Sequence, residues 1–321
     1  MEFDRRRMLE ASGIAALATL AGCSSDSEST TPTPATLSKP AAEMSYEEWT
    51  SAQSSATIEV DRHSLEVSYL EAGSGPLLVL LHGIPTSSYI WRNVVDPLSE
   101  SYRVVVPDMV GYGNSAMQDG FDRSLRAQEQ VVEGLRTEFG AETISYVGHD
   151  LGGGVGLRYA VHNPETVNQL VLSDAVSYDS WPVEAIANLG IPANIQSMSV
   201  SEVQTFLNGV FRQTLVSDTP DQSFIDAMIA PWDSEQGVLS LSRDAIATNT
   251  NHTTEIDPGE ITADTLLLWG ANDQAQPISY GEQLEEDIQE ATLTPVEDAS
   301  HWVMQDQPET YRDELVAFLT S

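Results

Sequence analysis

Apolar positions along the chain fall into two regimes. Before residue 46 there is no sustained period, whereas from Thr57 onward short apolar runs alternate with amphipathic stretches. Residues 58–60 and 65–69 alternate apolar and polar positions and predict a hairpin. Residues 77–81, 104–106, 144–147, 169–172 and 266–269 are short apolar runs, as expected of strands buried on both faces. A last strand is predicted over 291–296. Helical patterns lie between them: a stretch from Ser88, an amphipathic one over 125–139, and a closing helix over 309–319. This order predicts an α/β fold, a mostly parallel eight-stranded sheet covered by helices on both faces.

The strand pattern stops between Asp174 and about Pro258. Residues 183–189, 200–212, 222–230 and 236–247 instead carry helical periodicity, which predicts a helical cap inserted into the sheet domain. The expected organisation is a signal over 1–23, a flexible tether over 24–45, a sheet core over 46–176 and 259–321, and a cap over 177–258.

The first residues carry their own signals. Arg5-Arg6 precede the apolar stretch 14–21, which is too short to span a bilayer and resembles a twin-arginine export signal. Leu20-Ala21-Gly22-Cys23 resembles a lipobox, and Cys23 is the only cysteine in the chain. The expectation is export by the twin-arginine route, with lipidation at Cys23 and anchorage on the extracellular face. The Ser/Thr/Pro/Ala-rich residues that follow read as the tether.

Composition sharpens this picture. With 49 Asp+Glu against 14 Lys+Arg, the formal net charge is −35, which argues against nucleic acid as a partner. Lys39 is the only lysine. An acidic, lysine-poor folded chain resembles proteins of extreme halophiles, whose carboxylates keep the surface hydrated in concentrated salt.

Candidate chemistry sits at strand ends. Gly148-His149-Asp150-Leu151-Gly152 joins a predicted strand to a helix with the small-x-nucleophile-x-small spacing of a sharp turn that lifts residue 150 above the sheet edge. Small flanks are needed because side chains there would meet neighbouring backbone. The nucleophile is Asp, which is poorly suited to acyl transfer because it would leave a mixed anhydride. Attack on an sp3 carbon leaves an ordinary alkyl ester instead.

Four stretches carry a resemblance to the α/β-hydrolase superfamily: 82–92 (HGIPTSSYIWR), 108–115 (DMVGYGNS), 148–153 (GHDLGG) and 298–302 (DASHW). The segment from about 57 to 319 is most similar to the aspartate-nucleophile branch that includes haloalkane dehalogenases and epoxide hydrolases. The resemblance implies that Asp150 is the nucleophile, His301 the base that activates water, and Asp273 the acid that orients His301. Asp174, which follows the preceding strand, is the alternative acid. The backbone N–H groups of Leu151 and Ile84 are the expected oxyanion donors. Neither Ile84 nor Leu151 has a side-chain donor for a leaving group, so Trp181, Trp232 and Tyr178 are the candidates. A small-molecule substrate is implied, and neither metal nor cofactor. The alternatives are a ligand-binding protein on the same fold without turnover, or a promiscuous ester or lactone hydrolase.

Overall fold

The computed structural model describes residues 35–321. The twin-arginine segment, Cys23 and the first part of the expected tether lie outside the described residues. Eight strands form one sheet: β1 (Ser54–Val60), β2 (His63–Gly73), β3 (Leu77–Leu81), β4 (Arg103–Pro107), β5 (Ile144–His149), β6 (Val167–Ser173), β7 (Asp264–Gly270) and β8 (Ala291–Val296). Their order is β1-β2-β4-β3-β5-β6-β7-β8. The pairs β1–β2 and β2–β4 are antiparallel, and every later pair is parallel. Each apolar run of the sequence lies within one strand. All five residues of β3 are buried, as a strand covered on both faces requires.

Helices α1 (Tyr46–Ala52), α2 (Arg92–Ser99), α3 (Leu125–Glu138) and α4 (Leu151–His162) belong to the first part of the core. The cap consists of α5 (Glu184–Leu189), α6 (Pro192–Gln196), α7 (Val200–Thr214), α8 (Gln222–Ile229), α9 (Glu235–Ile246) and α10 (Asn251–Thr254), all between β6 and β7. Helices α11 (Ser279–Asp287), α12 (Val303–Asp306) and α13 (Pro308–Leu319) complete the core. A buried ion pair ties cap to core: Arg123, before α3, reaches Asp244 of α9 at 2.9 Å, with both side chains shielded from solvent. Burial of such a pair is tolerable only because the guanidinium also bonds Ser240 and the carbonyls of Met117 and Gln118.

The tether expectation over 24–45 is corrected for its second half. Ala35 and Gly73 exchange backbone hydrogen bonds at 2.9 and 3.1 Å, so the chain already lies against the hairpin there. Ala41 and Met44 are buried, and the Ala41 N–H donates to Asp96 of α2 at 3.0 Å. The composition is that of a linker, but two buried apolar side chains and hydrogen bonds to the hairpin, Tyr89 and Asp96 hold it down. Ser45 and Glu48 then form a capping box that starts α1.

At the far side of the sheet, β8 is an edge strand with an unusual set of outward donors. The N–H of Ala291 bonds the Ile288 carbonyl at 3.2 Å, that of Leu293 bonds the Glu285 carboxylate at 2.7 Å, and Pro295 has none.

Candidate active site

The parallel strands end on one side of the sheet, and the loops that leave those ends gather Ile84, Asp150, Leu151, Asp273 and His301. Asp150 stands at the turn from β5 into α4 with φ 52° and ψ −118°, a strained conformation for a non-glycine residue. Such a turn needs its neighbours stripped. A Cβ at Gly148 would run into the Gly152 carbonyl, and one at Gly152 into that of Leu81. The Asp150 carboxylate is buried, and its Oδ1 accepts the Ile84 N–H at 2.8 Å. The N–H of Leu151, the next residue, also favours the charged form of this carboxylate. Both predicted backbone donors therefore already face the group that would become an oxyanion.

The loop that carries Ile84 is held from below and above. His82 bonds the Gly83 carbonyl through Nδ1 at 2.9 Å and accepts the Met109 N–H through Nε2 at 3.0 Å. From the cap, the Trp232 indole N–H donates to the Pro85 carbonyl at 2.9 Å.

His301 follows β8. Its Nδ1 lies 2.9 Å from Asp273 Oδ2, and its Nε2 lies 3.7 Å from Asp150 Oδ2. The second distance is too long for a hydrogen bond and leaves the outer face of the imidazole to be approached. Asp273, in the loop after β7, is itself fixed: its Oδ1 accepts the N–H groups of Ala275 at 2.7 Å and Gln276 at 3.1 Å. The sequence left Asp174 open as the partner of His301; in the structure Asp273 makes that contact. Beneath His301 lies His149, its ring 4.9 Å from that of His301 and its Nε2 donating to the His301 carbonyl at 2.7 Å.

Burial and charge act against each other here. Burial alone would lower the His301 pKa, but the Asp273 charge, its hydrogen bond and the Asp150 charge outweigh it, and the net shift is upward. Burial raises Asp150, although His301 and the two backbone donors oppose it. Asp273 is pushed up by burial and pulled down further by His301 and its backbone donors, ending below the usual carboxylate range. His149 falls to about 3, through burial and then the charge of His301, so it stays neutral and does not compete as a base.

A cavity opens above Asp150 and His301. Its walls are apolar, with Val176, Trp181, Val183, Ile186, Val210 and Trp302 among them. None of the three predicted leaving-group donors is free. Trp181 lines the cavity, but its indole N–H donates to Thr253 at 2.7 Å. Trp232 is spent on Pro85, and the Tyr178 hydroxyl donates to Asp287 at 2.6 Å. Each has a structural partner within the chain, which a sequence does not reveal. Gln276, which no sequence motif marks, lines the cavity, is almost fully buried, and has an Oε1 without a hydrogen-bond partner among the described residues. Its only sequence signal was its place three residues after Asp273, in the same short loop.

This fold and elbow are those of the alpha/beta hydrolase fold, and a profile of that family matches residues 76–308. The chain belongs to this family and is a hydrolase. It is similar to Haloalkane dehalogenase 2 of Mycobacterium tuberculosis (strain ATCC 25618 / H37Rv), 25% identical over 256 residues, covering 76% of this chain and 87% of that one. A shorter stretch of 121 residues is 39% identical to the soluble epoxide hydrolase of Corynebacterium sp. (strain C12), covering 36% of this chain and 42% of the relative. Among solved structures, an alpha/beta hydrolase fold protein from Burkholderia ambifaria superposes with a TM-score of 0.74 at 22% identity, covering 82% of this chain and all of the other, a likeness of fold alone.

Proposed function

We propose that the protein hydrolyses a carbon–halogen or epoxide C–O bond of a small apolar substrate through an alkyl ester on Asp150. The observation that carries this reading is the division of labour within one carboxylate. Oδ1 is held by backbone N–H, while Oδ2 faces His301 across 3.7 Å under an apolar cavity. A lone pair of Oδ2 attacks the sp3 carbon, and the carbon–halogen or carbon–oxygen bond breaks with its electrons leaving on halide or epoxide oxygen. An opened epoxide oxygen then takes up a proton. In the second step His301 Nε2 removes a proton from water as the oxygen adds to the ester carbonyl. Charge develops on Oδ1, where Ile84 and Leu151 donate. Collapse expels the alkoxide, which takes the proton back from His301 to leave as the alcohol or diol. The carboxylic acid left on Asp150 then loses its proton to solvent, released with the halide in one case and offsetting the proton drawn from solvent at ring opening in the other. Asp273 stabilises the transient imidazolium.

Blocking the second step tests the reading. In His301→Gln, substrate should alkylate Asp150 without turnover, and intact-protein mass spectrometry should show the added mass mapped to that residue. An unmodified Asp150, with a substrate that the wild type consumes, would remove the covalent mechanism.

We also propose export by the twin-arginine route and anchorage through a lipid on Cys23, from the Arg5-Arg6 and lipobox-like patterns. Fractionation of Cys23→Ser against wild type decides it, since membrane association unchanged by the substitution rules out the anchor. The charge of −35 supports a protein adapted to molar salt, where the screening length is about 3 Å. Its melting temperature should fall as salt is withdrawn; a melting temperature indifferent to salt counts against the adaptation.

A further inference from the structure

Adjacent strands β6 and β7 deliver two carboxyl groups to one place, and the mechanism above uses only one. Asp174 follows β6, is fully buried, and has a φ of 44°. Its Oδ1 accepts the Gly270 N–H at 2.9 Å, while its Oδ2 is buried with no donor directed at it among the described residues. The Gly270 carbonyl in turn accepts the Asp273 N–H at 3.1 Å, so the carboxyl groups of Asp174 and Asp273 are anchored on the same residue at the ends of neighbouring strands and interact directly. Asp273 is far better supplied, with Ala275, Gln276 and His301 all bonded to it. Among the described residues no arginine or lysine pairs with either carboxyl, and His301 is the sole ion-pair partner of Asp273.

Two carboxylates in contact in a dry site cannot both be ionised, and the proton settles on the one with fewer donors. That one is Asp174. A proton there also gives its otherwise unpartnered oxygen something to do, because a neutral carboxylic acid is a donor. The other groups around it add no cation. The Asp306 carboxylate is occupied by the N–H groups of Ser300 at 2.9 Å and Val216 at 3.1 Å, and the Tyr311 hydroxyl is hydrogen-bonded to Ser173 at 2.8 Å. Asp150 carries further negative charge on the opposite side of His301.

We propose that Asp174 is a positioning residue, a neutral carboxylic acid whose O–H donates to Asp273, so that the chain of contacts runs Asp174–Asp273–His301. Its proton keeps a second negative charge away from the base, and its hydrogen bond fixes the plane of the Asp273 carboxylate and spreads its charge. Burial, then the Asp273 charge, push the Asp174 pKa well upward, in agreement with that state. The proposal rests on His301 as the base of the proposed reaction and is independent of the leaving group.

The test is the titration of His301, followed by NMR of protein labelled with ¹⁵N-histidine, which needs no turnover. Asp174→Asn keeps a neutral donor, so the proton affinity of His301 should change by less than about threefold. Had Asp174 carried a charge, the same substitution would lower that affinity roughly tenfold or more, and the proposal would be overturned. Asp174→Val removes the donor and should raise the affinity by about threefold or more, because the Asp273 charge is then less spread. A valine variant that titrates like the asparagine variant would overturn the donor role. If neither variant folds, infrared spectroscopy of wild type labelled with ¹³C-aspartate should show a protonated carboxyl band at neutral pH, and its absence would sink the idea. Loss of alkylation in His301→Gln, by contrast, would refute the covalent mechanism and leave these titrations standing.

Discussion

The floor and the roof of the cavity are built on opposite principles. The floor consists of loops at strand ends, where Ile84, Asp150, Asp273 and His301 are each fixed by at least one hydrogen bond from another segment. Two of its residues, Asp150 and Asp174, are also held at positive φ. The roof is helical and apolar, and its polar groups are turned to internal partners, as Thr214 is to Trp302 and Val210. A floor of this kind sets which bond is broken, because charges must be placed to fractions of an ångström on stiff supports. A roof of this kind decides which molecule is admitted, since apolar contact rewards size and shape alone.

Substitutions on the floor should therefore cost rate, and substitutions in the roof should cost selectivity. The largest loss is expected for Asp150→Ala, roughly 10⁴-fold or more in kcat, because the proposed mechanism forms its ester on that residue. Substantial turnover by that variant, measured on a halide and epoxide panel, would break the comparison outright. Asp273→Asn should lose on the order of 10³-fold, with the base unsupported. The same variant should shift the pH profile. In the proposed mechanism His301 acts as a base only when neutral, and Asp273 raises its pKa, so wild-type turnover should climb with pH through a midpoint above the ordinary 6.5. Removing that charge leaves burial in command and moves the midpoint downward, which a pH–rate series on both proteins would reveal.

Gln276 sits where floor meets roof and should give an intermediate result. Gln276→Leu is expected to reduce kcat/KM about tenfold, the cost of one hydrogen bond to a polar group of the substrate. The loss should grow for poorer leaving groups if the amide donates to them, a trend visible across a series of chlorides, bromides and iodides. The smallest effect belongs to the roof. Ile186→Ala should change the kcat/KM ratio for substrates differing by one methylene by about fourfold, with little change for the shorter one.

The same division governs how far the sequence could be read. Floor residues are announced by local chemistry: the glycines around Asp150 are needed by its turn, and His301 and Asp273 lie just beyond predictable strands. Continuous apolar runs located β3 to β7 because burial on both faces leaves no other pattern, although the ends ran short where a strand continues into polar residues, as at Ser54 and Gly73. In the roof the helices were legible from periodicity, except the short α6 and α10, which offer too few turns for a period to show. The direction of a side chain was not legible. Trp181, Trp232 and Tyr178 carry the right donors, yet each donates to a partner distant in sequence. For Ala41 and Met44, only the surface of α2 and the hairpin explains why a linker-like stretch stays down.

The outward row of N–H groups on β8 has a consequence for how copies of this protein meet. An exposed edge strand ordinarily offers a ladder onto which a neighbour's strand can be added. Here the donors at 291 and 293 are taken by the chain's own Ile288 and Glu285, and position 295 is proline. A second molecule arriving at this edge finds acceptors without donors and gains no continuous ladder. Copies crowded side by side can therefore touch along β8 without annealing into a shared sheet.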